Sequence, residues 1–314
     1  QYFPSYEVTA PQYVQPNIYS LAQLGYRTNE VAYACIDLWM KTISEPKLRV
    51  WDKKKEEFIL DHALYEFMDQ PCPDLSETDF WNATVMYLKI AGFLGWEKDY
   101  NNDGTLHALW PMMPQYCSFM RGQSKLLRAV RYQPYTGLPG IDIDRSKIVL
   151  FAYVAPLYYG LKPFSPTAVL APAIGLDNNM TTMINQFVKN GAFLGGMLKT
   201  EQIITNDDAR FAQQRFQDTK GGVNHAGEVL VLGKGMEFVK TSNTFREMVF
   251  PEVDARNEVR ICMGYAVKPI LISAKVGMDR STMNNYKEGK SSWYEESATS
   301  EWQFIEERTT KDLL

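Results

Sequence analysis

The stretch from Phe187 to Gly235 reads FVKNGAFLGGMLKTEQIITNDDARFAQQRFQDTKGGVNHAGEVLVLGKG, and its glycines constrain the fold more than any other feature of the chain. A helix reaching Phe187 breaks at Asn190-Gly191, because glycine at a helix end takes the left-handed conformation that other side chains resist. The Gly-flanked run Phe193 to Leu198 then reads as a Gly-rich strand, and Asn206 to Asp218 as a short polar helix. Asp207-Asp208 stand at that helix's start, where the backbone dipole favours negative charge. Gly221-Gly222 breaks the chain again before a strand, Glu228 to Leu232, and a tight Gly-Lys-Gly turn. A compact module of this kind between two helices predicts a protrusion carried on a two-helix stalk.

The whole chain, at 314 residues, is long enough for one large or two to three small domains. An apolar fraction of 45% is ordinary for a globular chain. A formal net charge of −4 gives no basic footprint of the kind a specific DNA reader carries. Cys35, Cys72, Cys117 and Cys262 form no C-x-x-C pair and read as small thiols on apolar faces, which suits a reducing compartment. The run Ile148 to Leu157 is broken by Pro156 and is too short to span a bilayer, so no membrane role is expected.

Taken in order, residues 1 to 26 carry Pro4, Pro11 and Pro16 among tyrosines and read as an extended arm. Asn29 caps a helix running to about Ile43, with Val31, Cys35, Leu38 and Trp39 on its apolar face. Lys47 to Trp51 and Phe58 to Leu60 suggest a strand pair, and His62 to Met68 a short helix stopped by Pro71 and Pro73. Ser76 with Asp79 resembles a capping box opening a helix from Glu77 to about Ala91, whose Phe80, Thr84, Tyr87 and Leu88 form a buried stripe. Strands follow at Gly92 to Tyr100 and Leu106 to Trp110. Their turn opens like a calcium loop at Asp99, Asn101 and Asp103, but the position for a bidentate Glu holds Trp110, so a hairpin turn is the better reading. Further strands are expected at Ser118 to Met120, Leu127 to Tyr132 and Ile148 to Val154.

Ser165-Pro166 starts a helix that Pro172 is expected to bend or restart. Met180, Met183, Ile184 and Phe187 lie on its apolar face at helical spacing; this face reads equally as the core of one domain or as packing between copies in a ring. Pro251 to Tyr265 is the returning helix. The loop Ala266 to Met278 is apolar yet carries Lys268, Pro269, Lys275 and Gly277, and on its residues alone it also reads as a short buried strand with two snorkelling lysines. A long polar helix, Ser281 to Leu314, ends the sequence with Tyr294, Ala298, Trp302 and Ile305 as its stripe.

Catalytic signatures fail where they can be tested. Gly233-Lys234 is followed by Gly235 rather than Ser or Thr, so it is no P-loop. His62, His107 and His225 sit in separate segments without metal-ligand spacing, and no G-x-S-x-G elbow occurs. No cofactor is expected.

The order helix, Lys189-Asn190-Gly191, Gly-rich strand, small helix, Gly222-Val223-Asn224, strand closely resembles the portal proteins of tailed double-stranded DNA bacteriophages. Other stretches extend the resemblance: Asn29 to Ile36, His62-Ala63-Leu64 with Pro71-x-Pro73, Leu109 to Pro114, Glu258 to Pro269 and Asn284-Asn285-Tyr286. Where the family commonly shows Phe-Gly-Val-Pro, this chain has Tyr265-Ala266-Val267-Lys268-Pro269.

The resemblance implies an α+β, ring-forming subunit with a wing over 1–165, stem helices over 166–191 and 245–265, and a clip over 192–244. It implies a tunnel loop over 266–279 and a tunnel helix over 280–314, leading in the family to a helical crown for which no residues follow. It further implies a non-enzymatic, dodecameric channel at one capsid vertex of the virion, assembled in the host cytoplasm, for packaging and ejecting double-stranded DNA. Its implied partners are the terminase large subunit, the capsid and head–tail connector proteins. The implied duplex-facing set is Val267, Lys268, Pro269, Ile270, Ile272, Lys275 and Val276. The implied docking set is Asn206, Asp207, Arg210, Arg215, Asn224, His225 and Lys234, and the stem-packing set is Met180, Met183, Ile184 and Phe187. Two other classes fit the residues less well: a soluble enzyme with an unrecognised site, and a different phage head-completion ring protein.

Overall fold

A computed structural model describes residues 17–314 apart from 53, 60, 121–126, 136, 155–162, 190–195, 200–206, 208–209, 212–213, 215–236, 241–249 and 279–281. The described chain divides into two units, one of residues 1–172 with 260–314 and one of residues 173–259.

The first unit opens with helix α1 (Ile18–Leu21) and a π-helical turn (Ala22–Arg27), so the end of the expected extended arm is helical. Asn17 explains the difference, since its side chain accepts a hydrogen bond from the Ser20 amide and caps the turn. Helix α2 (Glu30–Ser44) starts where the sequence places it, with the Asn29 carbonyl oxygen of the side chain accepting from Ala32 N at 2.9 Å. Its buried face is Ala32, Cys35, Ile36, Trp39, Met40 and Ile43, turned by about one residue from the expected one. Among the described residues of the next segment the strands are two-residue ones, β1 (Trp51–Asp52) and β2 (Glu57–Phe58). Helix α3 (Ala63–Asp69) is capped by the His62 ring, whose Nδ1 accepts from Leu64 N.

Helix α4 (Glu77–Ala91) has the anticipated start: Ser76 Oγ accepts from Asp79 N and donates to the Asp79 carboxylate. It packs on α2 and on strand β3 (Phe93–Tyr100), burying Phe80, Thr84 and Leu88. β3 is the centre of an antiparallel sheet of order β4-β3-β8, with β4 at Leu106–Met112 and β8 at Ile148–Ala152. Pro111 is tolerated because β4 is an edge strand, where the missing amide breaks no ladder. Trp96 fills the middle of this core, 4.7 Å from the Phe80 ring and 4.5 Å from Phe151, and its indole donates to Thr84 Oγ1. The β3–β4 turn closes by Asn101 N donating to Thr105 O, while the Asp103 carboxylate accepts from the amide and hydroxyl of Thr105.

A second antiparallel sheet, β5 (Cys117–Met120), β6 (Ala129–Tyr132) and β7 (Ile141–Asp144), covers a smaller core of Met112, Val130, Ile143 and Ile148. β7 is not expected from the sequence, because Asp142 and Asp144 mask its alternation. Across the ladder Arg131 engages Asp142 at 2.6 Å, which offsets the placement of an acid in a strand.

Helix α5 (Pro166–Lys189) begins with Ser165 Oγ accepting from Ala168 N. It continues through Pro172, so the expected restart does not occur. In the second unit, strands β9 (Gly196–Lys199) and β10 (Glu237–Lys240) pair antiparallel. The first of them overlaps the predicted Gly-rich strand; the second is not expected from the sequence, and the anticipated strand 228–232 lies outside the described residues. Helix α6 (Phe250–Gly264) matches the returning helix. Within the second unit Asn257 Nδ2 lies 4.0 Å from Met180 Sδ.

The terminal segment is not one regular helix. α8 (Met283–Trp293) runs into a π-helical turn (Tyr294–Ala298) and then α9 (Thr299–Leu313), after the short helix α7 (Lys275–Met278). The turn adds a residue to the helical repeat, so Trp293 and Ala298 share the buried face, and Trp293 takes the place expected for Tyr294.

Candidate functional site

The segment 266–278 is more ordered than a loop. Helix α6 ends in a Schellman motif: Val267 N donates to Cys262 O and Ala266 N to Met263 O, with Ala266 left-handed at φ 54. Two tryptophans fix this corner. Trp39 Nε1 donates to Tyr265 O at 2.8 Å, Trp293 Nε1 donates to Ala266 O at 2.7 Å, and the two indoles meet edge-on at 5.0 Å. A 3₁₀ turn (Pro269–Ile272) follows, closed by left-handed Ser273, and then α7.

These constraints sort the predicted duplex-facing residues. Val267 is only 4% exposed, so its methyls lie in the chain's own core. Lys268 is committed within the chain: its amine bonds the Ser292 hydroxyl and lies 3.3 Å from the Glu296 carboxylate. Hydrogen bonds from Ser292 and Lys268 push the Glu296 carboxyl below its ordinary value. Pro269, Ile270, Ile272 and Val276 are half-buried, and Lys275 is exposed. Gly277 lets the chain fold back on itself, because a Cβ there would stand 2.3 Å from Ile270 N.

The stem-packing residues also divide. Met180 is buried at 8%, Phe187 is half-buried, and Met183 and Ile184 are 42% and 43% exposed. Leu176 and Val188 are exposed as well. In the docking set, Asp207 and Arg210 are helical and exposed, as the predicted small helix requires. Asn206, Arg215, Asn224, His225 and Lys234 lie outside the described residues. Among the described residues no helix is long and apolar enough to cross a membrane, and no cluster of three His, Cys, Asp or Glu side chains could hold a metal ion.

Comparison with known proteins places this architecture. The chain matches the phage portal protein family over residues 30–314 and belongs to it. A solved structure of the virion of a native gene transfer agent particle contains a similar chain, with a TM-score of 0.63 and 15% identity, over 90% of this chain and 76% of that one. The neck of a native gene transfer agent particle computed with C12 symmetry matches with the same TM-score of 0.63. An HK97-family phage portal protein from Corynebacterium diphtheriae has a TM-score of 0.53 and 13% identity, over 82% of this chain and 79% of that one. In sequence, an uncharacterised protein of Rickettsia bellii (strain RML369-C) is 20% identical over 284 residues, covering 87% of this chain and 71% of that protein. The resemblance read from the sequence is therefore borne out at the level of family and fold.

Proposed function

We propose that this chain is the subunit of a ring, a dodecamer in the particle, that forms the DNA channel at one vertex of a phage or phage-derived head. The family match over residues 30–314 carries the reading. The exposed apolar side chains of Leu176, Met183, Ile184 and Val188 support it, since a helix face left apolar in a single chain suits burial against copies of itself. The role is that of a conduit and not of a catalyst. With a formal charge of −4 per chain, the wall would not hold duplex through mass release of counterions, which lets DNA slide.

Within the loop, Ile270, Ile272, Val276 and Lys275 are the side chains we assign to the duplex side. Apolar groups there offer phosphates no fixed partner, and an exposed lysine supplies attraction that fades over about 8 to 10 Å at physiological salt. The clip, 192–244, is assigned to docking the terminase large subunit and the head–tail connector proteins, with assembly in the host cytoplasm and the mature ring in the virion, against the capsid.

Electron microscopy of the purified protein tests the central claim. The expected images are closed rings with a central hole. A protein that stays monomeric at high concentration, at low and high salt alike, refutes it.

A further inference from the structure

Helix α9 meets the wing through a stripe with unusual chemistry. Glu301, Ile305, Thr309 and Asp312 recur at four-, four- and three-residue spacing, so they share one helix face. Only Ile305 and Thr309 of this helix are fully buried, and the Thr309 hydroxyl has no hydrogen-bond partner among the described residues. Half-buried Trp302 and Phe304 add apolar surface, Phe304 with its ring 5.4 Å from that of Tyr153, but apolar contact is non-directional and does not by itself select one axial position. The two ends of the stripe are acids, and each meets a dedicated set of donors from the wing.

At the first end, Lys89 Nζ donates to Glu301 Oε2 at 2.8 Å and to Tyr153 Oη at 2.9 Å, and the Tyr153 hydroxyl donates to Glu301 Oε1. The ammonium also stands 3.9 Å from the centre of the Trp39 ring. The side chains of Lys89 and Glu301 are 7% and 12% exposed, so the pair is out of water. Burial pushes the Lys89 amine below its ordinary value against the pull of Glu301, and pushes the Tyr153 phenol well above its own.

At the other end, Arg145 Nη2 donates to both Asp312 oxygens at 3.2 and 2.9 Å, and Leu150 N donates to Oδ2. Lys98 Nζ donates to the Asp312 carbonyl at 3.0 Å. An acid in the last turn has the wrong sign for the helix dipole, so Asp312 is not there for the helix's own sake. A slide of one turn, about 5.4 Å, would leave Lys89 facing Ile305 with no counter-charge in a dry site.

We propose that Lys89, Tyr153 and Arg145 are positioning residues that fix the axial register of α9 through Glu301 and Asp312, and through α8 the height at which segment 266–278 is held. Buried ion pairs are poor stabilisers compared with apolar side chains of similar volume, but a misplaced one is strongly disfavoured. That asymmetry sets a register without adding much to stability. The link to α8 is direct, since Trp293 and Ser292 hold Ala266 and Lys268. Only the statement that this height matters to a channel rests on the portal reading.

The test compares Lys89→Met alone with two paired apolar variants, Lys89→Met with Glu301→Leu and Arg145→Met with Asp312→Leu. Hydrogen exchange of residues 266–278 and 299–313 and the thermal midpoint are measured on the full chain. The single variant is expected to melt lower, and the paired variants to return to the parent midpoint. At that matched stability, exchange over both segments should accelerate by about tenfold or split into two populations. Parent-like exchange in the paired variants overturns the proposal. So does failure of both pairs to fold, which would make the charges stabilisers. Absence of rings in the parent protein would sink the portal reading, while the exchange comparison would still decide the register.

Discussion

Ala266 occupies a left-handed conformation at φ 54, where the Schellman end of α6 calls for glycine and where the family's common Phe-Gly-Val-Pro has it. An L-residue there carries about 1 to 2 kcal/mol of strain. Replacing it by glycine relieves that strain but adds freedom to the unfolded chain, which offsets roughly half. Ala266→Gly should therefore stabilise the first unit by about 0.5 to 1 kcal/mol, seen as a rise of a few degrees in its thermal midpoint. A fall would show that the corner is not left-handed. The opposite substitution identifies a position with no such reserve: at Gly92, with φ 79, an added Cβ would meet Phe164 O at 2.0 Å. Local chemistry of this kind is what the sequence makes readable. Asn29 and Ser76 could be assigned as caps because the groups they satisfy lie three residues away. Lys89 could not be read as a buried charge, since its carboxylate partner is 212 residues distant and its own helix offers no hint.

Among elements, the segment 266–278 shows where pattern reading stops. Its mixture of lysines and aliphatics does place it apart from a solvated loop, yet the pattern cannot say which side chains turn inward. The Schellman corner decides that: reversing the chain at Ala266 buries Val267 and leaves Ile270 half-exposed on the following turn. The same limit explains the terminal stripe, where a π-helical turn exchanges Tyr294 for Trp293 on the buried face. The two branched residues should thus separate experimentally. Val267→Ala removes buried methyl volume and should cost about 2 kcal/mol, lowering the midpoint without altering DNA packaged per assembled ring at permissive temperature. Ile270→Ala, together with Lys275→Ala, should shift the midpoint little and change packaged length or rate. The readout is DNA retained per particle with purified terminase and ATP. Equal packaging by Ile270→Ala, Lys275→Ala and parent would remove segment 266–278 from the duplex side.

For the whole molecule, the apolar face of α5 is the feature that a single chain does not use up. Met180 is already buried within its own unit, beside Asn257, while Met183 and Ile184 are more than two-fifths exposed. If these residues served a core, a carboxylate at any of them would damage folding alike. If the face is covered by neighbouring copies, the damage must divide along the line of exposure. Met180→Asp should destabilise the chain itself by several kcal/mol, because an unpaired charge is buried on folding. Met183→Asp and Ile184→Asp should leave the single chain's far-ultraviolet spectrum and midpoint close to parent, since surface substitutions there fall within about 0.5 kcal/mol. Their cost appears on assembly, when the carboxylate loses water against an apolar neighbour. Mass photometry across a dilution series would report it as rings replaced by folded monomers. Rings of parent size and stability from both exposed-site variants would show that this face is not where copies meet.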